Sequence, residues 1–191
     1  MKKQEKQEKI KRSKEFSKEI IIPEGIEAEA EPGAVIMKKQ GKELRRAYTG
    51  FSIKKEPGKL ILYDKKASKR EKKMIMTTLA HIKNMIRGLE KGFEYKLEIC
   101  SVHFPMSVEF NKDRHEIIIK NFLGETKPRT ARLPEKVDVK IEGNIIKVSS
   151  CDIEAGGLTA AIIERLSKVK SKDRRIFQDG IYIIEKPGRQ I

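Results

Sequence analysis

The sequence predicts an α+β fold made of two tandem duplicated domains, each an antiparallel sheet with one packed helix. Three observations lead there. Short segments of alternating apolar and polar residues follow one another, separated by turn signals. One strongly amphipathic helix closes that run. The same plan then recurs at a nearly constant offset.

The first strands are expected at Glu19–Ile22, Ile26–Glu31, Ala34–Lys38, Phe51–Lys54 and Leu60–Tyr63. Pro23-Glu24-Gly25, Pro32-Gly33, Gln40-Gly41 and Pro57-Gly58 punctuate them as turns. Ser68 followed by Glu71 is a capping box. Ile75, Leu79, Ile82, Ile86 and Leu89 then recur at spacings of four and three, one apolar stripe of a helix that Gly88 or Gly92 would stop. Lys69, Arg70, Lys72, Lys73, Lys83 and Arg87 are left to solvent or a partner.

The second half repeats the order. A strand at Glu116–Lys120 leads to Gly124, as Val35–Lys39 leads to Gly41, and 83 residues separate the two glycines. Gly143 sits in a hairpin like that of Gly58, 85 residues earlier. Leu158, Ile162, Leu166 and Val169 form the expected stripe of a second helix, whose first turn is weakened by Gly156-Gly157 at about 1 kcal/mol each. Residues 1–18 are expected to be a basic N-terminal arm, mobile or ordered by RNA, 19–91 the first domain, and 92–187 the second. The segment from Gly92 to Val102 joins the two as a strand of the second sheet.

Charge decides the class of partner. Lys and Arg number 43 against 28 Asp and Glu, a net of +15 over 191 residues. Such a balance attracts polyanions, nucleic acid first and an anionic membrane surface second. No apolar run approaches the roughly 18 residues of a bilayer span, and the charged start lacks a secretory apolar stretch. Two cysteines, Cys100 and Cys151, point to reduced thiols in the cytosol rather than a disulfide framework. The absence of Trp and an aromatic content of 6% disfavour a pure base-stacking binder and suit folded RNA read by backbone and shape.

No catalytic constellation stands out. His81, His103 and His115 are scattered, and Cys100 with His103 has no second pair at zinc-ligand spacing. No phosphate-cradling glycine loop or nucleophile elbow appears. The expectation is therefore no enzyme, no cofactor and no metal. A small RNA-modifying enzyme and a basic DNA-binding architectural protein remain the rival classes, separable by pocket pKa values and by affinity for duplex DNA.

The basic clusters carry the candidate site. Residues 165–175 hold Arg165, Lys168, Lys170, Lys172, Arg174 and Arg175 against Asp173 alone. Two or three of these could simply answer a helix C-terminus; six exceed that need. Lys127, Arg129 and Arg132 form a second cluster, and Lys54–Lys73 a third. Arginine offers bidentate phosphate recognition, which singles out Arg129, Arg132, Arg174 and Arg175. Gly180 would permit close backbone approach, and Lys186 extends the basic surface. Phe177 and Tyr182 are either core anchors or stacking platforms.

The stretches IIIPEGIEAE (20–29), MTTLAHIKNMIRG (76–88), GFEYKLEICSVHFP (92–105), KNFLGE (120–125) and KDRRIFQDGIYIIEK (172–186) resemble the large-subunit ribosomal protein L-six family, in its archaeal and eukaryotic branch. The likeness runs in order over about residues 19–187. It implies two duplicated α+β domains and a non-enzymatic place in the large ribosomal subunit. The implied partners are large-subunit ribosomal RNA near the sarcin–ricin loop, neighbouring ribosomal proteins and, as further candidates, translation factors. It also implies that the second domain makes most of the RNA contact, with the family's C-terminal signature falling on Lys172, Arg175, Phe177, Asp179, Gly180, Tyr182 and Lys186. Arg165 stands where that signature begins with Gln. The RNA-binding set expected is Arg129, Arg132, Lys168, Lys170, Lys172, Arg174, Arg175, Gly180 and Lys186.

Overall fold

Alternating apolar segments bounded by glycine turns do form strands. The computed structural model describes residues 15–191, which divide into two compact units at Glu90/Lys91. Unit 1 contains β1 (Phe16–Ile21), β2 (Glu27–Glu31), β3 (Ala34–Lys39), β4 (Lys42–Ala47), β5 (Ser52–Glu56), β6 (Lys59–Asp64) and α1 (Lys69–Lys91). Its strands divide between two antiparallel sheets, β1-β6-β5 and β2-β3-β4, rather than forming the single sheet expected. The breaks have local causes. Pro23 has no N–H to extend a ladder, and Gly25 and Gly50 take left-handed φ values of 86° and 85° between the sheets.

The unforeseen strand β4, KELRRA, has only Leu44 buried, too little alternation to read in advance. It is held instead by its hairpin. Gln40 and Gly41, both at positive φ, make the two-residue turn that pairs Lys39 with Lys42. The arm expected over 1–18 ends early, because Phe16, Ser17 and Lys18 pair with Asp64, Tyr63 and Leu62 in β1. The rest of that expectation, residues 1–14, lies outside the described residues.

The capping box before α1 is formed as expected. The Ser68 N–H donates to Glu71 at 3.0 Å, the Ser68 hydroxyl also meets that carboxylate, and the Arg70 N–H donates to Ser68 Oγ at 3.2 Å. Ile75, Leu79, Ile82, Ile86 and Leu89 are all buried. Gly88 lies inside the helix, and Gly92, at φ 71°, ends it.

Unit 2 runs β7 (Phe93–Cys100), β8 (Ser107–Asn111), β9 (Glu116–Lys120), a 3-10 turn (Phe122–Gly124), β10 (Arg129–Arg132), β11 (Asp138–Glu142), β12 (Ile145–Ser150), α2 (Ile153–Leu166), β13 (Gly180–Lys186) and β14 (Arg189–Gln190). The sheets are β8-β9-β10 and β11-β12-β7-β13-β14. The duplication is visible strand by strand: β7-β12-β11 repeats β1-β6-β5, and β8-β9-β10 repeats β2-β3-β4. Its core gathers Leu97, Ile117, Ile119, Phe122, Ile146, Val148, Ile163 and Ile181.

The stripe expected on the second helix is rotated by about one residue. Leu158 is 56% exposed, and the buried face is Gly156, Thr159, Ala160 and Ile163. Tyr95 on β7 explains the rotation. A Cβ on Gly156 would stand 2.9 Å from the Tyr95 ring, and one on Gly157 would stand 3.0 Å from its hydroxyl. The glycines are thus where the helix comes down on the aromatic ring, whose hydroxyl donates to Ile153 O at 3.0 Å. Asp152 caps the helix by accepting the Glu154 N–H at 2.9 Å.

Candidate nucleic-acid interface

A loop that carries many like charges presents them at fixed positions only if its ends are tied down. Residues 167–179, between α2 and β13, meet that condition. Ser167 is buried at the end of α2; its Oγ accepts the Ile181 N–H at 2.8 Å and donates to Glu164 O at 3.1 Å. Val169 is buried one residue beyond Lys168. At the far end Asp179, only 1% exposed, accepts the Val102 N–H at 2.7 Å and the His103 N–H at 2.9 Å, while the His103 ring donates from Nδ1 at 2.6 Å. Burial alone would push the Asp179 carboxyl up; the His103 N–H and ring and the Val102 N–H outweigh it and hold the pKa below the ordinary aspartate value. The His103 ring also lies against Phe177, 5.0 Å between centroids, and the Lys172 ammonium sits 4.6 Å over the Phe177 ring.

Arg129 is the third tie. Its Nε and one terminal nitrogen donate to Glu125 at 2.8 and 2.6 Å, and its other terminal nitrogen donates to Leu166 O and Lys168 O, both at 2.9 Å. The guanidinium lies 4.1 Å over the Phe122 ring. Hydrogen bonds from Arg129 hold the Glu125 carboxyl below its usual range, with Lys170 and Lys172 adding to the effect. Arg129 therefore answers the last carbonyl of α2 and one in the loop beyond it, instead of standing free to meet a phosphate.

The other expected residues fall in three places. Lys168, Lys170, Lys172, Arg174 and Arg175 are exposed along the tied loop. Arg175 touches Asp173 at 3.4 Å with its side chain 92% exposed. Arg132, on β10, is paired with Glu135 at 3.5 Å, and Lys186 is exposed near the end of β13. Among the described residues no hydrogen bond or ion pair joins those two to the loop. Gly180 is the buried first residue of β13. Its missing Cβ leaves room for the Tyr182 ring, which would otherwise be 3.0 Å away, so the close approach there is made by the protein's own side chain. Among the described residues no three His, Cys, Asp or Glu side chains are grouped so as to hold a metal ion.

Sequence reasoning did not foresee Ser167, Glu125, the Asp179–His103 tie or the groove beside α2. That groove, about 410 Å³, is lined by Arg165, Lys168, Arg174, Glu164, Ile181 and Tyr182 among others. Of these, the four-residue spacing of Glu125 and Arg129 was readable, but nothing in it indicated the carbonyls that Arg129 also binds. No described helix is long and apolar enough to cross a membrane.

Fold and site together define a basic, duplicated α+β protein that holds out a tied cationic loop, the form expected of a component of a ribonucleoprotein. Residues 104–180 match the family model described as ribosomal protein L6. The chain is 46% identical to the large ribosomal subunit protein uL6 of Methanococcus vannielii over 173 residues, 90% of this chain and 94% of that one. It is 41% identical to the protein of that name from Methanobrevibacter smithii over 170 residues, 88% and 94% of the two chains. The chain belongs to the ribosomal protein L6 family.

Proposed function

We propose that the chain is a structural constituent of the large ribosomal subunit whose second unit grips large-subunit ribosomal RNA near the sarcin–ricin loop, where translational GTPases dock. The observation that carries the RNA-binding part is the tied loop: Lys168, Lys170, Lys172, Arg174 and Arg175 are exposed on a segment anchored at Ser167, Val169 and Asp179. Preorganised charges lose little conformational freedom on binding. The ammonium and guanidinium groups neutralise phosphates and release counterions, and shape and 2′-hydroxyls guide docking on an A-form groove. Arg129 sets the loop's position, while Arg132 and Lys186 extend the basic surface. No bond is made or broken. The location near the sarcin–ricin loop is supported by the sequence resemblance. Neighbouring ribosomal proteins and translation factors are candidate partners of unit 1.

Engagement of about six phosphates should make log affinity fall with log salt at a slope of roughly −4 to −5. Arg174→Glu combined with Arg175→Glu should weaken binding to large-subunit RNA, measured by filter binding, with an unchanged circular dichroism spectrum. A flat salt response, or undiminished binding by the folded double variant, would reject the loop as the RNA contact. Crosslinking from Lys172–Lys186 in assembled subunits would test the location; adducts confined to RNA far from the sarcin–ricin loop would remove that part of the reading.

A further inference from the structure

We propose that the groove between α2 and β13 receives one unpaired nucleotide of the bound RNA, its phosphate among Arg165, Lys168 and Arg174 and its base against Tyr182. This rests on the RNA-binding reading above and adds a defined subsite to it.

The groove differs in kind from the exposed loop beside it. A surface that only neutralises phosphates needs cations and little else. Here three cations from separate places, the last turn of α2, the residue after Ser167 and the loop, line a volume of about 410 Å³. Among the described residues none of the three has a carboxylate within ion-pair distance, although Glu164 also lines the groove. That carboxylate is turned partly to the backbone, where its Oε1 accepts the Ile183 N–H at 3.4 Å. Its remaining lone pairs can accept from the amino or imino edge of a base. Ala161, half-buried on α2, gives the groove an apolar part.

Tyr182 is a restrained ring. Its hydroxyl donates to Gln178 O at 3.0 Å, and the ring occupies the space that a side chain at position 180 would need. Its side chain nevertheless stays 39% exposed. A flat ring held in place beside an apolar patch, an acceptor and three cations matches the parts of a nucleotide: base face, base edge and phosphate. Paired bases in an A-form helix cannot reach into such a recess, whereas bases splayed from loops and bulges are taken up by aromatic and guanidinium planes. An acidic peptide with an aromatic side chain is the competing occupant, and the test separates the two.

Full-length protein would be bound to protein-free large-subunit RNA and probed twice, by hydroxyl radicals at the backbone and by base-specific reagents at unpaired positions. The wild type should protect a stretch of backbone and at least one unpaired base. Tyr182→Ala should bind roughly 5- to 150-fold more weakly, the loss expected for one stacked base. At saturation it should keep the backbone protection and lose that base protection, while Tyr182→Phe should keep both. Backbone protection with no base protection sensitive to Tyr182→Ala would overturn the subsite alone and leave the groove to a peptide. Parallel loss of both protections in a folded Tyr182→Ala protein would also overturn it, since the ring would then be supporting the loop. No backbone protection by the wild type would instead overturn the RNA-binding reading.

Discussion

The two units share a plan and pair basic side chains with carboxylates on their strands, and they differ in the segment that leads into β13. In unit 1 Lys38 is answered by Glu29, Arg45 by Glu31, and Lys59 by Glu19 and Glu56; in unit 2 Lys96 is answered by Glu185, Lys120 by Glu109 and Lys147 by Glu142. In unit 2 the sheet gains β13 and β14, and the segment leading into β13 carries cations whose ties are made by other groups, Ser167, Arg129 and Asp179. Duplication supplied one scaffold twice. One copy carries an added strand, and the cationic segment between its helix end and that strand is tied at both ends. The difference lies in what holds the backbone beneath the charge: in unit 2 the residues that fix it are not the cations of the loop itself.

The sharpest break of that comparison is to remove one answered cation from each unit. Arg129→Met deletes a guanidinium whose side chain is only 14% exposed, with two carboxylate bonds and two carbonyl bonds. It should cost about 2–4 kcal/mol in urea unfolding, because the carbonyls and Glu125 lose their donors in a partly dry site. Lys38→Met deletes a solvent-exposed pair and should leave the unfolding midpoint where it was. Equal losses would mean that Arg129 is an ordinary surface ion pair.

A smaller effect tests how each helix is buried. The α1 stripe was legible because its core contacts are made by Ile75, Leu79, Ile82, Ile86 and Leu89, large residues at helical spacing. The α2 face was misread because two of its contacts are made by missing side chains, and periodicity of apolar residues cannot register a glycine that seats an aromatic ring. Gly156→Leu should therefore destabilise by about 1–3 kcal/mol despite the gain in helix propensity, since the added atoms meet Tyr95. Leucine at the exposed Ala80 of α1 should change little. Thermal unfolding of the two variants checks this, and a stabilised Gly156→Leu would show that the ring yields. The site was legible to the same extent as the helices. The cations of 165–175 stand out in composition, as do the two strands and turn before α1. The groups that tie the loop are single residues, Ser167 and Asp179, whose partners lie 14 and 76–77 residues away, and no local pattern carries that information.

The smallest effect is the one that pH isolates. Asp179 is buried and its pKa is lowered. A carboxyl lowered in the folded state binds protons more weakly there than in the unfolded chain. Its contribution is therefore fully present above the unfolded value, about pH 4, and is lost as pH falls through the folded value. Asp179→Asn keeps an acceptor for the Val102 and His103 N–H groups and removes the charge that the His103 ring meets. The variant should be less stable than the wild type by about 1 kcal/mol near neutral pH, and the gap should close as pH drops below about 4. Urea unfolding of both proteins from pH 7 down to pH 2 measures it. Two curves that stay parallel across that range would mean that the Asp179 charge is not what fastens the loop to residues 102 and 103, and the platform would have to be held by Ser167 and Arg129 alone.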